Sequence, residues 1–491
     1  MSPDAASPQL AILQFLTSLQ SPARILVAIS GGSDSTGLLL LLDEAVKAAP
    51  HLKISLCAAT VDHALRAGSA AEAREVADLC ASLGIPHTVL IWQGDKPKTG
   101  IMAAAREARY GLLASAAERF EADLIVTAHT LDDQRETLAM RGMRTEQVST
   151  GIADAVLFDR RFWILRPLLF STRADIRAFL KEHGVPWIDD PSNEDTKYER
   201  VRMRRQLSAD AGMEKDISAA WEERLALSSR GAEWLDRHFR LHGGLLGQVM
   251  PDGLRQDRAV LDYVLGRLAA VFGGQPFAPG RGQMERILTF ATGSGLGRMT
   301  AGRVVFDLRR DGLYLARESR GILPLVLQPG EAGVWDGRFG AVNRSGTTIG
   351  VEAQAGHSLI TALGSNPRDV TGIQPPRVGA VNDSTMREES LAPKDLDALG
   401  SCDEHRNEGG LGRDLPKAAW KRAVASAPVL SAEGNLLTGK SARMVELTPY
   451  FAPFDRFLTR FDFIFANRLS AVFATAPYAR LPLRSIDGKT I

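Results

Sequence analysis

Cysteine is scarce in this chain. Only Cys57, Cys80 and Cys402 occur among 491 residues, none at a paired spacing, and no Cys/His set has the spacing of a zinc site. A disulfide framework is therefore excluded, and a reduced compartment is expected. A dominant charge sign is missing too: 59 Lys and Arg face 58 Asp and Glu, for a net charge of +1. Overall charge thus neither demands nor forbids a polyanionic partner, and local clusters must decide. No apolar run is long enough to span a bilayer, the longest leucine run being 38–42, and the opening MSPDAASPQLAILQFL lacks the positive n-region of a signal peptide. A soluble, cytoplasmic protein is expected. There is no internal repeat.

With 45% hydrophobic residues, a chain of this length can bury more than one core and divides into two to four domains. Up to about residue 130, short apolar runs at 24–30, 54–62, 87–92 and 123–129 alternate with helical patterns at 35–49, 70–83 and 102–120. That alternation predicts an α/β fold with a doubly wound, mostly parallel sheet, whose ligands sit beyond the C-terminal strand ends. FWILRPLL, 162–169, reads as a fifth strand; STRADIRAFLKEHG after it reads as a helix capped by Ser171 or Thr172 and ended by Gly184. Residues 1–213 are expected to form the catalytic domain, 214–295 a helical middle domain, and 296–491 a smaller β-containing C-terminal domain. Residues 352–415 are rich in Gly, Pro, Asp, Asn and Ser and read as partly irregular.

SGGSDS, 30–35, lies between the first strand and its helix. Gly31 and Gly32 allow positive φ and close backbone approach, so successive N–H groups can converge on an anion at the helix start, with hydroxyls of Ser30, Ser33 and Ser35 beside them. The lysine and spacing of GxxxxGK[ST] are absent, which argues against γ-phosphate transfer on a P-loop. Asp34 would repel a phosphate unless a divalent cation such as Mg²⁺ lay between them, making it the first metal-ligand candidate. A purely structural strand-to-helix turn with an N-capping Ser or Asp is the alternative for the hexapeptide alone.

The loop resembles the SGGxDS loop of the N-type ATP pyrophosphatases, which cleave ATP between the α and β phosphates and adenylate a substrate. Four further stretches resemble the tRNA(Ile)-lysidine synthases of that superfamily. VDHALRAGS, 61–69, puts Asp62, His63 and Arg66 at the ligand edge of the sheet, although a strand end with a solvated His and Arg would look alike. AAREARYGLL, 104–113, spaces Arg106, Arg109 and Tyr110 on one helix, where forked guanidiniums can meet phosphate; an ordinary amphipathic helix is the plainer alternative. AHTLDDQRET, 128–137, resembles the HxxDDQxET signature, implying Asp132 and Asp133 beside the phosphates and metal; helix capping is the competing role. Finally RPLL followed by WIDDPSNEDTKYERVRMRR, 187–205, gathers Lys197, Arg200, Arg202, Arg204 and Arg205 around Tyr198, a basic, stacking-capable stretch suited to RNA. After the DDQRET helix, where the family commonly carries the glycine turn RGSG, this chain instead has Arg141, Gly142, Met143 and Arg144 and then TEQ. RESRGILPLVLQPGEAGVWDGRF, 317–339, resembles the accessory domain of some bacterial members, which implies that 296–491 contacts the acceptor arm or body of the tRNA.

The resemblance implies ATP and Mg²⁺ as requirements, and free L-lysine and a CAU-anticodon tRNA(Ile) as partners. The wobble cytidine attacks the α phosphate through O2, and lysine then displaces AMP. Asp34, Asp132, Asp133 and Arg106 are the implied catalytic residues, Asp34 and Asp132 the metal ligands. Ser30, Gly31, Gly32, Ser33, Asp34, Ser35, Asp62 and His63 would bind the nucleotide; Arg109 and the 197–205 cations would bind tRNA. A tRNA thiolase is the rival within the superfamily, needing reactive or cluster-binding cysteines. A non-catalytic nucleotide- or RNA-binding protein is the rival outside it. The oligomeric state is open, a homodimer included.

Overall fold

The computed structural model describes residues 7–64, 68–94, 96–97, 99–142, 149–189, 213–354, 415–432, 435–438, 442–486 and 489–490. Contacts divide the chain into two compact units: residues 1–232 with 454–468 and 477–491, and residues 233–453 with 469–476.

In the first unit, strands β1 (Ala23–Ala28), β2 (Ile54–Asp62), β3 (His87–Ile91), β4 (Leu124–Val126), β5 (Ala155–Phe158) and β6 (Phe162–Leu165) alternate with helices α1 (Pro8–Ser18), α2 (Ser33–Ala48), α3 (Ser69–Ser82), α4 (Ile101–Arg119), α5 (Leu131–Gly142) and α6 (Arg173–Glu182). β1 pairs in parallel with β2 and β4, β2 with β3, and β4 with β6. β5 returns antiparallel on β6. Ile25, Leu26 and Val27 are fully buried, the continuous apolar run of a parallel strand covered on both faces. Such a sheet leaves its ligand groups at the C-terminal edge, where β1 runs into SGGSDS, β2 into His63, β4 into 127–130 and β6 into Arg166.

The second unit carries a five-stranded antiparallel sheet. It joins β7 (Phe239–His242) and β8 (Leu246–Val249) to β9 (Gly297–Ala301), β10 (Val304–Arg309) and β11 (Gly312–Arg317) in the order β7-β8-β11-β10-β9. Residues 214–295 are thus not the all-helical middle segment expected. FRLH and LGQV form a hairpin that completes a sheet with later strands, because two strands cannot bury an apolar face alone. Smaller sheets follow: β12 (Leu325–Leu327), β15 (Ile349–Ala353), β16 (Pro428–Ala432) and β17 (Asn435–Leu436), and separately β13 (Ala332–Trp335), β14 (Phe339–Asn343) and β18 (Val445–Pro449). Buried Asp336 holds Arg303, Arg317 and Arg338 there.

The chain then returns to the first unit, where β19 (Phe457–Thr459) adds antiparallel to β5 and gives the order β19-β5-β6-β4-β1-β2-β3. Arg460 follows it and pairs with Asp154 at 2.6 Å, both buried. The unit also takes Ile217 and Trp221 from the helix Met213–His238 into one apolar cluster with Leu131, Phe170 and Phe461. The expected boundary at 213 therefore falls short of the last core residues. Among the described residues no helix is long and apolar enough to cross a membrane.

Candidate active site

The SGGSDS loop is locked by its own side chains. Ser35 Oγ accepts from the Ser30 backbone N–H at 3.1 Å and donates to the Gly32 carbonyl at 3.1 Å, while Thr36 Oγ1 donates to the Gly31 carbonyl. Gly31 has φ +85°, and a Cβ there would lie 2.6 Å from Ile188 Cδ1, so only glycine fits. The Ile188 N–H donates to the Gly31 carbonyl at 2.9 Å and pins the loop from outside. α2 starts at Ser33 with Gly32 at its N-cap and no side-chain cap, so its first-turn N–H groups have no intrahelical partner and point toward any anion bound there.

Asp34, in that first turn, faces an acidic pair from another element. Arg173, the first residue of α6, joins them: its Nε donates to Asp34 Oδ2 at 2.9 Å, its Nη2 lies 3.6 Å from Asp133 Oδ1, and its backbone N–H donates to Asp132 Oδ2 at 2.8 Å. Burial pushes the Asp34 carboxyl above its ordinary value; Arg173 pulls it down, and Asp133 adds to the rise. Asp133 also serves as a cap, as its Oδ2 accepts from the Thr130 N–H at 2.9 Å and from the Thr130 hydroxyl at 3.0 Å, the carboxylate half of a capping box at the start of α5. Gln134 is fully buried and binds both backbone groups of Ile152, so it is structural. Arg177, one turn beyond Arg173, donates to Ser33 Oγ at 3.1 Å and pairs with Asp189 at 3.3 Å.

Among the described residues no three His, Cys, Asp or Glu side chains converge as a self-sufficient metal cage. Asp34 and the Asp132–Asp133 pair still fit a hard divalent cation of the kind that takes one or two carboxylates, keeps waters and shares phosphate oxygens. A guanidinium already stands between Asp34 and Asp133, so the position is one that stabilises positive charge.

A second group gathers at the ends of β2 and β6. Asp62 is nearly buried and accepts from the Ala64 N–H at 2.7 Å, and His63 stands edge-on to Trp92, with its buried Nδ1 unpartnered among the described residues. Burial and then Arg109 hold the His63 imidazole below its ordinary value. Arg106 lies 5.1 Å from the Tyr110 ring centroid, and Arg106, Arg109 and the buried Arg166 all act on the Tyr110 phenol. Burial alone would push that phenol up; Arg166, which also hydrogen-bonds it, and then Arg106 and Arg109 outweigh burial and bring it down to about 8. No carboxylate pairs with Arg106, Arg109 or Arg166 among the described residues, so the cluster is left electropositive.

The structure thus brings Ser30, Gly31, Gly32, Ser33, Asp34, Ser35, Asp132 and Asp133 together, and separately Asp62, His63, Arg106 and Arg109. No hydrogen bond or ion pair links the two groups among the described residues. Arg66, Lys197, Tyr198, Arg200, Arg202, Arg204 and Arg205 lie outside the described residues. Sequence reasoning passed over Arg173, Arg177 and Arg166. RPLL signalled the last, but nothing in STRADIRAFL distinguishes Arg173 from a solvated helix residue.

The family model described as the PP-loop domain matches residues 6–211. A tRNA(Ile)-lysidine synthase of Rhizobium meliloti is 44% identical over 364 residues, 71% of this chain and 79% of the relative. One of Mesorhizobium japonicum is 35% identical over 472 residues, 93% of each chain, and one of Brucella ovis is 35% identical over 367 residues, 70% of this chain and 80% of the relative. With such identity carried across most of both sequences, the chain belongs to the tRNA(Ile)-lysidine synthase family.

Proposed function

We propose that this chain ligates L-lysine to C2 of the wobble cytidine of a tRNA(Ile) with a CAU anticodon, using ATP and passing through an adenylated cytidine, with AMP and pyrophosphate released. The carrying observation is the 35% identity to a lysidine synthase over 93% of the chain, which covers both compact units.

The residues suit each step. The N–H groups at the start of α2, which have no intrahelical partner, and the serine hydroxyls of the loop receive the departing pyrophosphate, an electrostatic role for prearranged donors. Asp34, with Asp132 or Asp133, holds Mg²⁺, which when bound offsets the charge that builds on the phosphates. Arg106 meets phosphate or base, and Asp62 and His63 frame the nucleotide at the end of β2. A carboxylate of the Asp132–Asp133 pair takes the proton of the attacking amine, since lysine reacts only as the free base. Arg109 and the cations Lys197, Arg200, Arg202, Arg204 and Arg205 engage the tRNA backbone, whose phosphates dominate affinity.

A thiolase reading is disfavoured, because burial pushes the Cys57 and Cys80 thiols up to about 11, the opposite of an activated sulfur. The test incubates the protein with ATP, Mg²⁺, labelled lysine and CAU-anticodon tRNA, alongside Asp34→Ala. Label is expected in the tRNA with the parent and at least a hundredfold less with the variant; no label with the parent, or equal label with both, overturns the reading.

A further inference from the structure

Arg173 touches all three acids of the site, through Nε to Asp34, Nη2 to Asp133 and its backbone N–H to Asp132. Its side chain is 18% exposed, against 20% for Asp34 and 22% for Asp133, so the charges face one another with little water between them. Holding α6 in place does not require this side chain. Thr172 caps the helix through the Asp175 N–H, Asp132 binds its first N–H, and Ile176 seats on Gly37 of α2, where a Cβ would lie 2.3 Å from Ile176 Cγ2. The first residue of a helix is also a poor place for a cation, because the helix dipole is positive there. The acids must offset that penalty, and they do so while Asp34 has no other positive partner among the described residues.

We propose that Arg173 is an exchangeable internal cation: it neutralises Asp34 and Asp133 in the nucleotide-free protein, gives Asp34 up to the metal that accompanies ATP, and turns its guanidinium onto the nucleotide phosphates. A metal on the Asp34 carboxylate stands close to the Arg173 guanidinium and repels it, so the two cations compete for Asp34. The released fork meets phosphate, the partner for which its paired N–H groups are shaped. Arg173 thereby keeps the empty site from collapsing through carboxylate repulsion, and it makes metal binding depend on a nucleotide being present to receive the displaced charge.

The inference rests on the reading of Asp34 as a metal ligand, and its test needs neither tRNA nor lysine, so failure of lysine ligation and failure of the exchange are told apart. Binding of Mn²⁺ alone is followed by electron paramagnetic resonance for the parent, Arg173→Gln and Arg173→Gln/Asp34→Asn. Binding of α,β-methylene-ATP with Mg²⁺ is followed by calorimetry. Arg173→Gln is expected to bind Mn²⁺ at least tenfold more tightly without nucleotide and the nucleotide analogue at least tenfold more weakly, and Asp34→Asn is expected to abolish the gain in Mn²⁺ affinity. A merely structural arginine would move both affinities down or neither. Unchanged or weaker Mn²⁺ binding by folded Arg173→Gln overturns the proposal, as does a gain that survives Asp34→Asn. Should the glutamine variant not fold, Arg173→Lys replaces it: an ammonium cannot span Asp34 and Asp133 as the fork does, and Mn²⁺ affinity must still rise for the proposal to stand.

Discussion

Tyr110 is a tyrosine whose neighbours decide its chemistry. Its phenol is lowered to about 8 from an ordinary 10, so it is neutral in folded and unfolded chains below 8 and ionises first in the folded state above that. The stability this contributes appears as pH rises from about 8 toward 10, is complete above 10, and is lost as pH falls back through 8. Denaturation of the parent and Tyr110→Phe should therefore give a stability difference that widens between pH 8 and 10, and absorbance near 295 nm should show one of the six tyrosines titrating near 8. A flat difference would remove the arginine cluster as its cause. Gly31 gives a second test at this scale. With φ +85° and Ile188 in the way, Gly31→Ala should cost about 1–2 kcal/mol in stability and weaken binding of an ATP analogue, read by denaturant melts and calorimetry. The residues of SGGSDS and DDQ were legible because each motif is contiguous and its chemistry is local. Arg173 was not, since its acid partner Asp34 lies 139 positions away and an arginine in an amphipathic helix otherwise reads as solvated surface.

Among the elements, α2 and α6 form the joint that delivers Arg173 and Arg177 to the loop. Gly37 has ordinary helical backbone, so its role is space: Ile176, fully buried, fills the gap that a methyl would take. Gly37→Ala should cost about 1–3 kcal/mol by overpacking and lower nucleotide affinity by tilting α6 away. Ile176→Ala should cost about 2–5 kcal/mol by opening a cavity. Urea denaturation of the double variant should show a loss smaller than the sum of the two, since each change accommodates the other; strict additivity would deny the packing account. Sequence periodicity located β1 to β4, β6 and the helices between them, because buried parallel strands are short continuous apolar runs flanked by 3.6-period segments. It missed β5, four residues whose partner is an antiparallel neighbour, and the hairpin Phe239–Val249 within a helical stretch. Both belong to short hairpins that are completed by strands distant in sequence, β19 on β5 and β11 on β8, rather than set by local pattern.

At the scale of the whole molecule the chain order and the units disagree, and that governs how the protein can be cut. Residues 454–468 carry β19 onto the open edge of β5, place Phe457 against Tyr110 and Phe158, and supply Arg460 to the buried Asp154. Three sequential domains could not foresee this, because the returning strand is three residues long and about 300 positions from its partner. A chain ending at 453 would leave Asp154 buried without its cation, a loss of about 3–5 kcal/mol, and would expose the backbone of β5 as a free sheet edge. That truncation is expected to lower the urea midpoint of the transition that α,β-methylene-ATP protects, and to aggregate on warming. In the full chain, Arg460→Met should reproduce the midpoint shift in part without aggregation, and Asp154→Asn added to it should recover some of the loss by removing the stranded charge. If the truncated chain instead unfolds with the midpoint of the intact protein, the returning segment is an ornament of the first unit. If it does not, weakened tRNA binding by C-terminal deletions cannot be read as loss of a tRNA-contacting domain until 454–468 has been kept in place.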